Sequence, residues 1–173
     1  MAHERYTRTN QKLYFAGLAL ESLAKAEEGN AMNALAQAQA GREAVLFHLY
    51  GGLLGLCHEI AGFYRLPDSA APRAQAYLNP QTLEAAPNPE LAELVELLQQ
   101  PGTWLSQLLA AYDGLFQPPV PPIKPKQDVT TPLIQAINLD EEEAPPLSAG
   151  TLEQWRQHLK ALAIRFREGL SEC

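Results

Sequence analysis

Cysteine is nearly absent from this chain of 173 residues, which has only Cys57 and Cys173. So few thiols rule out a disulfide-stapled fold and provide no metal-ligand spacing. Cys57 sits inside an apolar run and is expected to be a small core residue, Cys173 a free thiol. Histidine is almost as scarce, with four in all. None stands in the Glu-x-x-His spacing that di-iron bundles require on each of two helices. His58 and Glu59 are neighbours, about 100° apart on a helix. His158 follows Glu153 at a poor spacing, and His3 lies in the opening turn of the chain. No metal and no cofactor is expected. Also missing are a glycine-rich phosphate loop behind a strand, a GxSxG elbow and an HExxH pair. Ser22, Ser69, Ser106, Ser148 and Ser171 read as helix-surface, capping or terminal residues.

Long apolar runs are lacking too. The uncharged stretch from Ala44 to Cys57 contains His48, Gly51 and Gly52 and falls short of the roughly 20 residues a bilayer needs. The opening MAHERYTRTNQK is polar, without the apolar core of a signal peptide. We expect no membrane partner and a cytoplasmic location. Positive charge is in deficit: the formal charge is −7 and the pI near 5.1, a balance that repels phosphate backbones and argues against nucleic-acid binding. The cations that exist are gathered at the ends. Arg5, Arg8 and Lys12 lie near the start, and Arg156, Lys160, Arg165 and Arg167 in the last helix. Glu84, Glu90, Glu93 and Glu96 occupy the middle, with the run Asp140–Glu143 behind them. The simplest reading sets the basic ends beside the acidic middle in the fold. The acidic run, which lacks the glycine and alternating ligands of a calcium loop, reads as solvated.

What the chain does have is apolar residues, 46 % of the total, spaced for helices. Tyr6, Leu13, Ala16, Leu20 and Leu23 share one face of a helix over Thr7–Glu28 that Gly29-Asn30 ends. A second helix, Ala31 to Tyr64, carries a seam of Leu35, Leu46, Leu49, Leu53, Leu56, Ile60 and Phe63, which the polar Gln39 and Arg42 interrupt, so that it is firm only from Leu46 onward. Val45, Phe47, Tyr50, Leu54 and Cys57 lie off the seam and are apolar as well, so this helix is expected to be central. Gly41, Gly55 and Gly62 fall in one stripe in which His48 takes the missing place, and Gly51 and Gly55 form a small-xxx-small pair. Each helical glycine costs about 1 kcal/mol against alanine. The shared stripe therefore predicts that another helix approaches the backbone there, and a kink at Gly41 or Gly51-Gly52 is allowed.

Asp68-Ser69 and Asn79-Pro80 are possible caps for short helices. Asn88-Pro89-Glu90 starts a third helix, which Pro101-Gly102 bends before Trp104, Leu105, Leu108, Leu109 and Tyr112 resume the spacing. Residues 117–150 hold eight of the fourteen prolines. The portion QPPVPPIKPK is expected to be extended polyproline, with Thr131-Pro132 starting a single turn. Its three PxxP pairs could dock in an aromatic groove, but the apolar residues among them favour a stiff strap crossing the bundle. Thr151 and Gln154 make a capping-box spacing for the last helix, with Leu152, Trp155, Leu159, Leu162, Phe166 and Leu170 on its inner face. Lys160, Arg165 and Arg167 there suit the negative end of its dipole.

Three functional readings compete. Arg42 falls on the apolar seam and His48 in the glycine stripe. An arginine followed at this distance by a histidine is similar to the Rx4-6H motif of HEPN domains, helical bundles some of which cleave RNA, and Glu43 matches the polar residue after the arginine. Six positions set the two side chains about 120° apart, so the competing reading gives Arg42 a carboxylate partner or a snorkelling path and His48 a buried, bonded ring. The second reading is a small-ligand pocket lined by Tyr14, Tyr50, Tyr64, Tyr77, Tyr112, Trp104 and Trp155, against which stands their ordinary use as bulky core fillers. The third is a non-enzymatic protein that binds another protein or a second copy of itself.

The segments RYTRTNQKLYFAGLALESL, FHLYGGLLGLCHEIAGFY and WLSQLLAAYDGLF together resemble a small bacterial family, seen chiefly in pseudomonads, that is classified only as a domain of unknown function. The resemblance spans nearly the whole chain. It implies a cytoplasmic bacterial helical protein and adds no site residues. Together these readings lead us to expect one all-α domain over 1–173. It would be a four-helix bundle with short extra helices and a proline-rich strap over 117–150, and would act as a non-enzymatic interaction protein.

Overall fold

The computed structural model describes residues 2–118 and 146–171. The expected polyproline run from Pro119 onward, the turn at Thr131-Pro132, the acidic run Asp140–Glu143 and Cys173 all lie outside the described residues. Within them the protein is all-α: α1 is Ala2–Glu28, α2 Ala34–Phe63, α3 Pro80–Ala85, α4 Pro89–Gln99, α5 Trp104–Gly114 and α6 Ala149–Ser171, with a 3₁₀ turn at Ala74–Ala76. No strand occurs among the described residues.

The central role of α2 follows from its sequence. Leu46, Leu49, Leu53, Leu56 and Ile60 of its seam are fully or almost fully buried, as are Val45 and Cys57 off it. Burying each such side chain contributes roughly 2 kcal/mol. The seam opens at its ends: Leu35, ahead of its firm part, is 89 % exposed, and Phe63 departs from expectation at 41 %, because the partner helices do not cover the tips of so long a helix. α2 runs unbroken through Gly41, Gly51 and Gly52. It is long and apolar enough to cross a bilayer by length and composition, yet 67 % of its most apolar window is buried inside the protein, as expected of a core helix.

α1 is the helix the glycine stripe predicts. A Cβ placed on Gly41 would lie 3.1 Å from the Leu23 Cβ and 3.2 Å from its Cα. One on Gly55 would lie 2.6 Å from the Thr9 Oγ1 and 3.2 Å from the Thr9 Cα. Low residue numbers on α1 thus meet high ones on α2, and the two helices are antiparallel. α6 runs antiparallel to α1 in turn, since Arg156 packs over Gly17 while Arg167 reaches Asn10. Two joined apolar clusters result. One gathers Leu53, Leu56, Ile60, Tyr77, Leu91, Leu94, Leu105 and Phe166; the other gathers Leu20, Leu23, Leu46, Leu49, Leu108, Leu152 and Trp155.

The connections follow local chemistry. The Asn79 and Asn88 side chains accept from the Thr82 and Leu91 amides and start α3 and α4 as expected. Gly102, at φ +86°, makes the turn between α4 and α5, and Thr103 caps α5. α2 ends with Arg65 left-handed at φ 53° while the Leu66 amide donates to the Ala61 carbonyl, a closure usually reserved for glycine. Two expectations fail. No helix starts at Asp68-Ser69, because the Tyr77 hydroxyl accepts from the Ala71 amide and donates to the Asp68 carbonyl, satisfying that loop another way. α6 starts before Thr151: the Ser148 hydroxyl caps it by accepting from the Thr151 amide. Of the expected opposition of charges, one pair joins the last helix to the acidic middle, Arg165 of α6 with Glu93 of α4.

The helix approach makes two glycines with opposite expected outcomes. Gly55→Ala drives a methyl group into the α1 backbone and is expected to destabilise the protein by about 1–3 kcal/mol. Gly114→Ala points into open space and is expected to be neutral or to stabilise by up to about 1 kcal/mol. Urea unfolding of the two variants checks both signs.

Candidate functional site

Two polar constellations flank the α1–α2 contact. The first is internal. Glu59 is 3 % exposed, and such a carboxylate persists only when paired and hydrogen-bonded. Both its oxygens accept from Arg167 of α6, Nε to Oε2 at 2.8 Å and Nη2 to Oε1 at 2.8 Å. The Thr9 hydroxyl of α1 donates to Oε1 as well. Arg167 donates further to the Asn10 Oδ1 at 2.9 Å, and its guanidinium lies over the Tyr6 ring at 4.8 Å. The close pass of Thr9 over Gly55, one turn before Glu59, is what brings the hydroxyl within reach. The fork therefore ties α1, α2 and α6 together. It leaves no Glu59 oxygen without a donor, so it reads as an anchor and not as a reactive group.

The second constellation faces outward, along the seam where α1 and α2 meet. Phe15 of α1 and Phe47 of α2 set their rings edge-on to His48, with centroids 5.5 and 5.4 Å away. Tyr14 lies 6.2 Å from Phe15, and the Lys12 ammonium sits 4.7 Å over the Phe47 ring. The Lys12 stem lies along Gly51, 3.0 Å from where a Cβ would be. Tyr14 is 64 %, Phe47 51 % and Leu18 45 % exposed. Large side chains scattered singly at a surface are ordinary; contiguous ones point to a contact.

Arg42 and His48 are now placed. The Arg42 Nε donates to the Leu147 carbonyl at 2.8 Å and its Nη2 pairs with Glu27 at 3.1 Å. The arginine thereby fastens the segment before α6 to the α1–α2 hairpin, matching the carboxylate-partner reading. His48 shares none of these contacts. It is the expected stripe residue packed against α1, but not the expected bonded one, since its buried Nδ1 has no hydrogen-bond partner. Burial first, and the nearby Lys12 charge second, lower the His48 pKa from its usual 6.5. Burial and the Arg8 charge likewise lower Lys12.

The seven aromatics considered for a single pocket are dispersed. Tyr50 and Tyr112 line a common cleft with Pro72, Arg73, Gln75, Asp113 and Phe116, about 310 Å³ in volume. Their own rings stack at 3.8 Å, and the Tyr50 hydroxyl donates to Gln75 and accepts from the Ala74 amide. Tyr64 bonds Glu90, Tyr77 closes its own loop, and Trp155 fills the core. Among the described residues no group of His, Cys, Asp or Glu is arranged to hold a metal. Cys57 is buried, and burial pushes its thiol up to about 12, far from reactive.

Comparison with known proteins adds one fact to this geometry. A family model described as "Family of unknown function (DUF6586)" matches residues 1–173. The chain belongs to that family. No curated protein and no solved structure matches it. The DUF6586 chain thus fits the uncharacterised family that its three quoted segments resemble.

Glu59 was missed because it follows His58 at a spacing useless for a metal. The readable signal was a carboxylate four residues after Gly55, facing the close-packed side of the apolar helix and so requiring a cation from another element.

Two measurements probe these constellations. Arg167→Met leaves a buried carboxylate unpaired and is expected to cost about 3–5 kcal/mol; Arg165→Met, which removes the surface pair with Glu93, is expected to cost at most about 1 kcal/mol. For His48 the sign runs toward acid. The folded state disfavours the charged ring, so the unfolded chain takes up the proton first and stability declines as pH falls below 6.5. His48→Leu removes this proton and the unsatisfied nitrogen, so the variant is expected to gain on the wild type between pH 7 and pH 5 in chemical unfolding (roughly the range in which histidine titrates).

Proposed function

We propose that the protein is a non-enzymatic helical-bundle protein that binds another polypeptide through the outer seam of α1 and α2. One observation carries the reading: Tyr14, Phe15, Phe47 and His48 form a chain of ring contacts at the surface, in which Tyr14 and Phe47 are half or more open to water and Phe15 and His48 partly so. Burying it against a partner removes apolar area from water and is favourable at about 25 cal/mol per Å². Aromatic residues of this kind dominate interface energetics. Of the two residues weighed for catalysis, Arg42 holds Glu27 and the Leu147 carbonyl, and His48 packs against Phe15 and Phe47 instead of joining it.

The same reading takes the architecture as a four-helix bundle in one unit over 1–173. Its members are α1, α2, the α4–α5 pair and α6, with residues 117–150 as a strap between the third and fourth. The grip of Arg42 on the Leu147 carbonyl supports such a strap. It also assigns the protein to the bacterial cytoplasm, with no nucleic-acid or membrane partner. The acidic balance of −7 supports the exclusion of nucleic acid.

Affinity retention from source-cell extract, quantified by mass spectrometry, compares wild type with Phe47→Asp. We expect the polypeptides held by wild type, further copies of the chain included, to drop at least about tenfold with the variant at unchanged helicity. Equal retention by both proteins, or none by wild type, overturns the proposal.

A further inference from the structure

We infer that the α1–α2 outer seam takes an acidic amphipathic helix of another protein, laid lengthwise between the two helices. The inference rests on the proposed function above and adds the chemistry of the partner. The shape of the seam argues for a helix. On α1, Arg8, Lys12, Phe15, Ala19, Ser22 and Ala26 follow one another in alternating steps of four and three. At about 100° per residue they stay within roughly 40° of one line. On α2, Gln37, Ala40, Ala44, Phe47 and Gly51 do the same. Two adjoining stripes of this period are what a third helix needs to set its side chains into theirs. Beyond the aromatic rings the floor between the stripes sinks into a groove of about 520 Å³, where Ala19, Ala26, Ala40, Gly41 and Ala44 bring little bulk. Leucine-sized side chains of an occupant fill such a floor. An extended peptide would find no sheet edge to pair with among the described residues, whereas a helix satisfies its own backbone.

The charges of the seam argue for acid. Among the described residues Lys25 is the one charged side chain lining the groove, and Lys12 and Arg8 continue the stripe toward the start of α1. None of the three pairs with a carboxylate among the described residues: Arg8 donates to Gln11, and Lys12 lies over the Phe47 ring. Between Arg8 and Ala26 no carboxylate stands on the α1 line, although the whole chain carries a formal charge of −7. Of the carboxylates nearby, Glu27 is held by Arg42, and Glu43 accepts from Gln39 on its own helix. The cations crowd one another as well. The Arg8 charge adds to burial in lowering the Lys12 pKa, and Lys12 does the same to His48. Glutamate or aspartate on the flank of an incoming helix relieves that repulsion and supplies complementary charge. Arg8 and Lys25 stand about 26 Å apart along α1, so an occupant of about 18 residues spans all three cations. An anionic bilayer offers the same sign of charge, but a flat surface does not reach the floor of a groove between two helices. A single helix does.

The test uses purified full-length chain and two labelled synthetic peptides of about 18 residues. Each carries leucine along one helical face, flanked by glutamate in one peptide and by lysine in the other. Seam binding is read in fluorescence anisotropy as the part that Ala40→Trp abolishes, since this substitution fills the groove from an exposed position and is expected to leave circular dichroism unchanged. The glutamate peptide is expected to bind the seam with a Kd at or below about 100 μM, and the lysine peptide at least about tenfold more weakly. The double variant Lys12→Glu with Lys25→Glu is expected to reverse that order, a result that mere loss of folding cannot produce. Absence of seam binding by the glutamate peptide overturns the inference, as does equal seam binding of both peptides or a preference that survives the double variant. Phe47-dependent binding to anionic lipid vesicles in place of the peptide overturns it too. Polypeptides retained from extract through Phe47 by a chain that ignores the glutamate peptide remove the acidic helix as occupant and leave the proposed function standing.

Discussion

Everything in this fold depends on how closely α1 approaches α2. Helix axes normally stand 8–10 Å apart, with the spacing set by the side chains between them. Here Gly41 and Gly55 provide no side chain, and the nearest atoms of Leu23 and Thr9 press against the bare backbone at 3.1 and 2.6 Å from where a Cβ would stand. That approach lets a hydroxyl on α1 reach a carboxylate buried on α2. It also fixes the rotation of both helices about their axes. Once α1 shows Leu13, Ala16, Leu20 and Leu23 to the interior, Tyr14 and Leu18 are forced outward on a 3.6-residue period.

The buried Glu59–Arg167 fork has to be understood within that constraint. Two charges removed from water gain little net stability over an apolar pair. Their value lies in direction, since a bidentate guanidinium–carboxylate contact tolerates one geometry. An apolar residue at 59 would let α6 slide or rotate across α2; the fork, with Thr9 and Asn10 as further partners, sets α6 in register with both helices of the hairpin. Arg42 does similar work at the opposite end, where its bond to the Leu147 carbonyl delivers the chain into α6. The arginine that looked anomalous on an apolar seam is there because the seam ends against polar backbone.

Much of this was legible in the residues. The apolar period gave the long helices, and Asn79, Asn88 and Gly102 announced their turns through capping chemistry and positive φ. The glycine stripe announced that another helix lies against it, though not that this helix is α1. Legibility stopped where a group's partner lies far away in sequence. Glu59 finds Arg167 more than a hundred positions later, and neither residue looks unusual in its own window; in the last helix Arg167 was first accounted for by the helix dipole. The Asp68-Ser69 cap failed for the same reason, because Tyr77 satisfies that loop from outside the local pattern. His48 was visible as a replacement in the stripe, but the missing partner of its Nδ1 emerges only when Phe15 and Phe47 enclose the ring with hydrocarbon.

That enclosure joins the fold to the surface. A histidine in a glycine stripe is too large to pass under α1, so its ring emerges at the edge of the contact and must be flanked. Phe15 and Phe47 flank it, and the chain accepts an unsatisfied nitrogen (a cost of about 1–3 kcal/mol) together with half-exposed aromatic rings. Packing alone does not call for this arrangement, since alanine or glycine at 48 would continue the stripe at lower cost. Nor does solubility, which favours charge over aromatic rings at a surface. A residue set that is unfavourable for the isolated fold is what supports the proposed contact. The exposure of Tyr14 and Phe47 is itself a consequence of where α1 lies on α2.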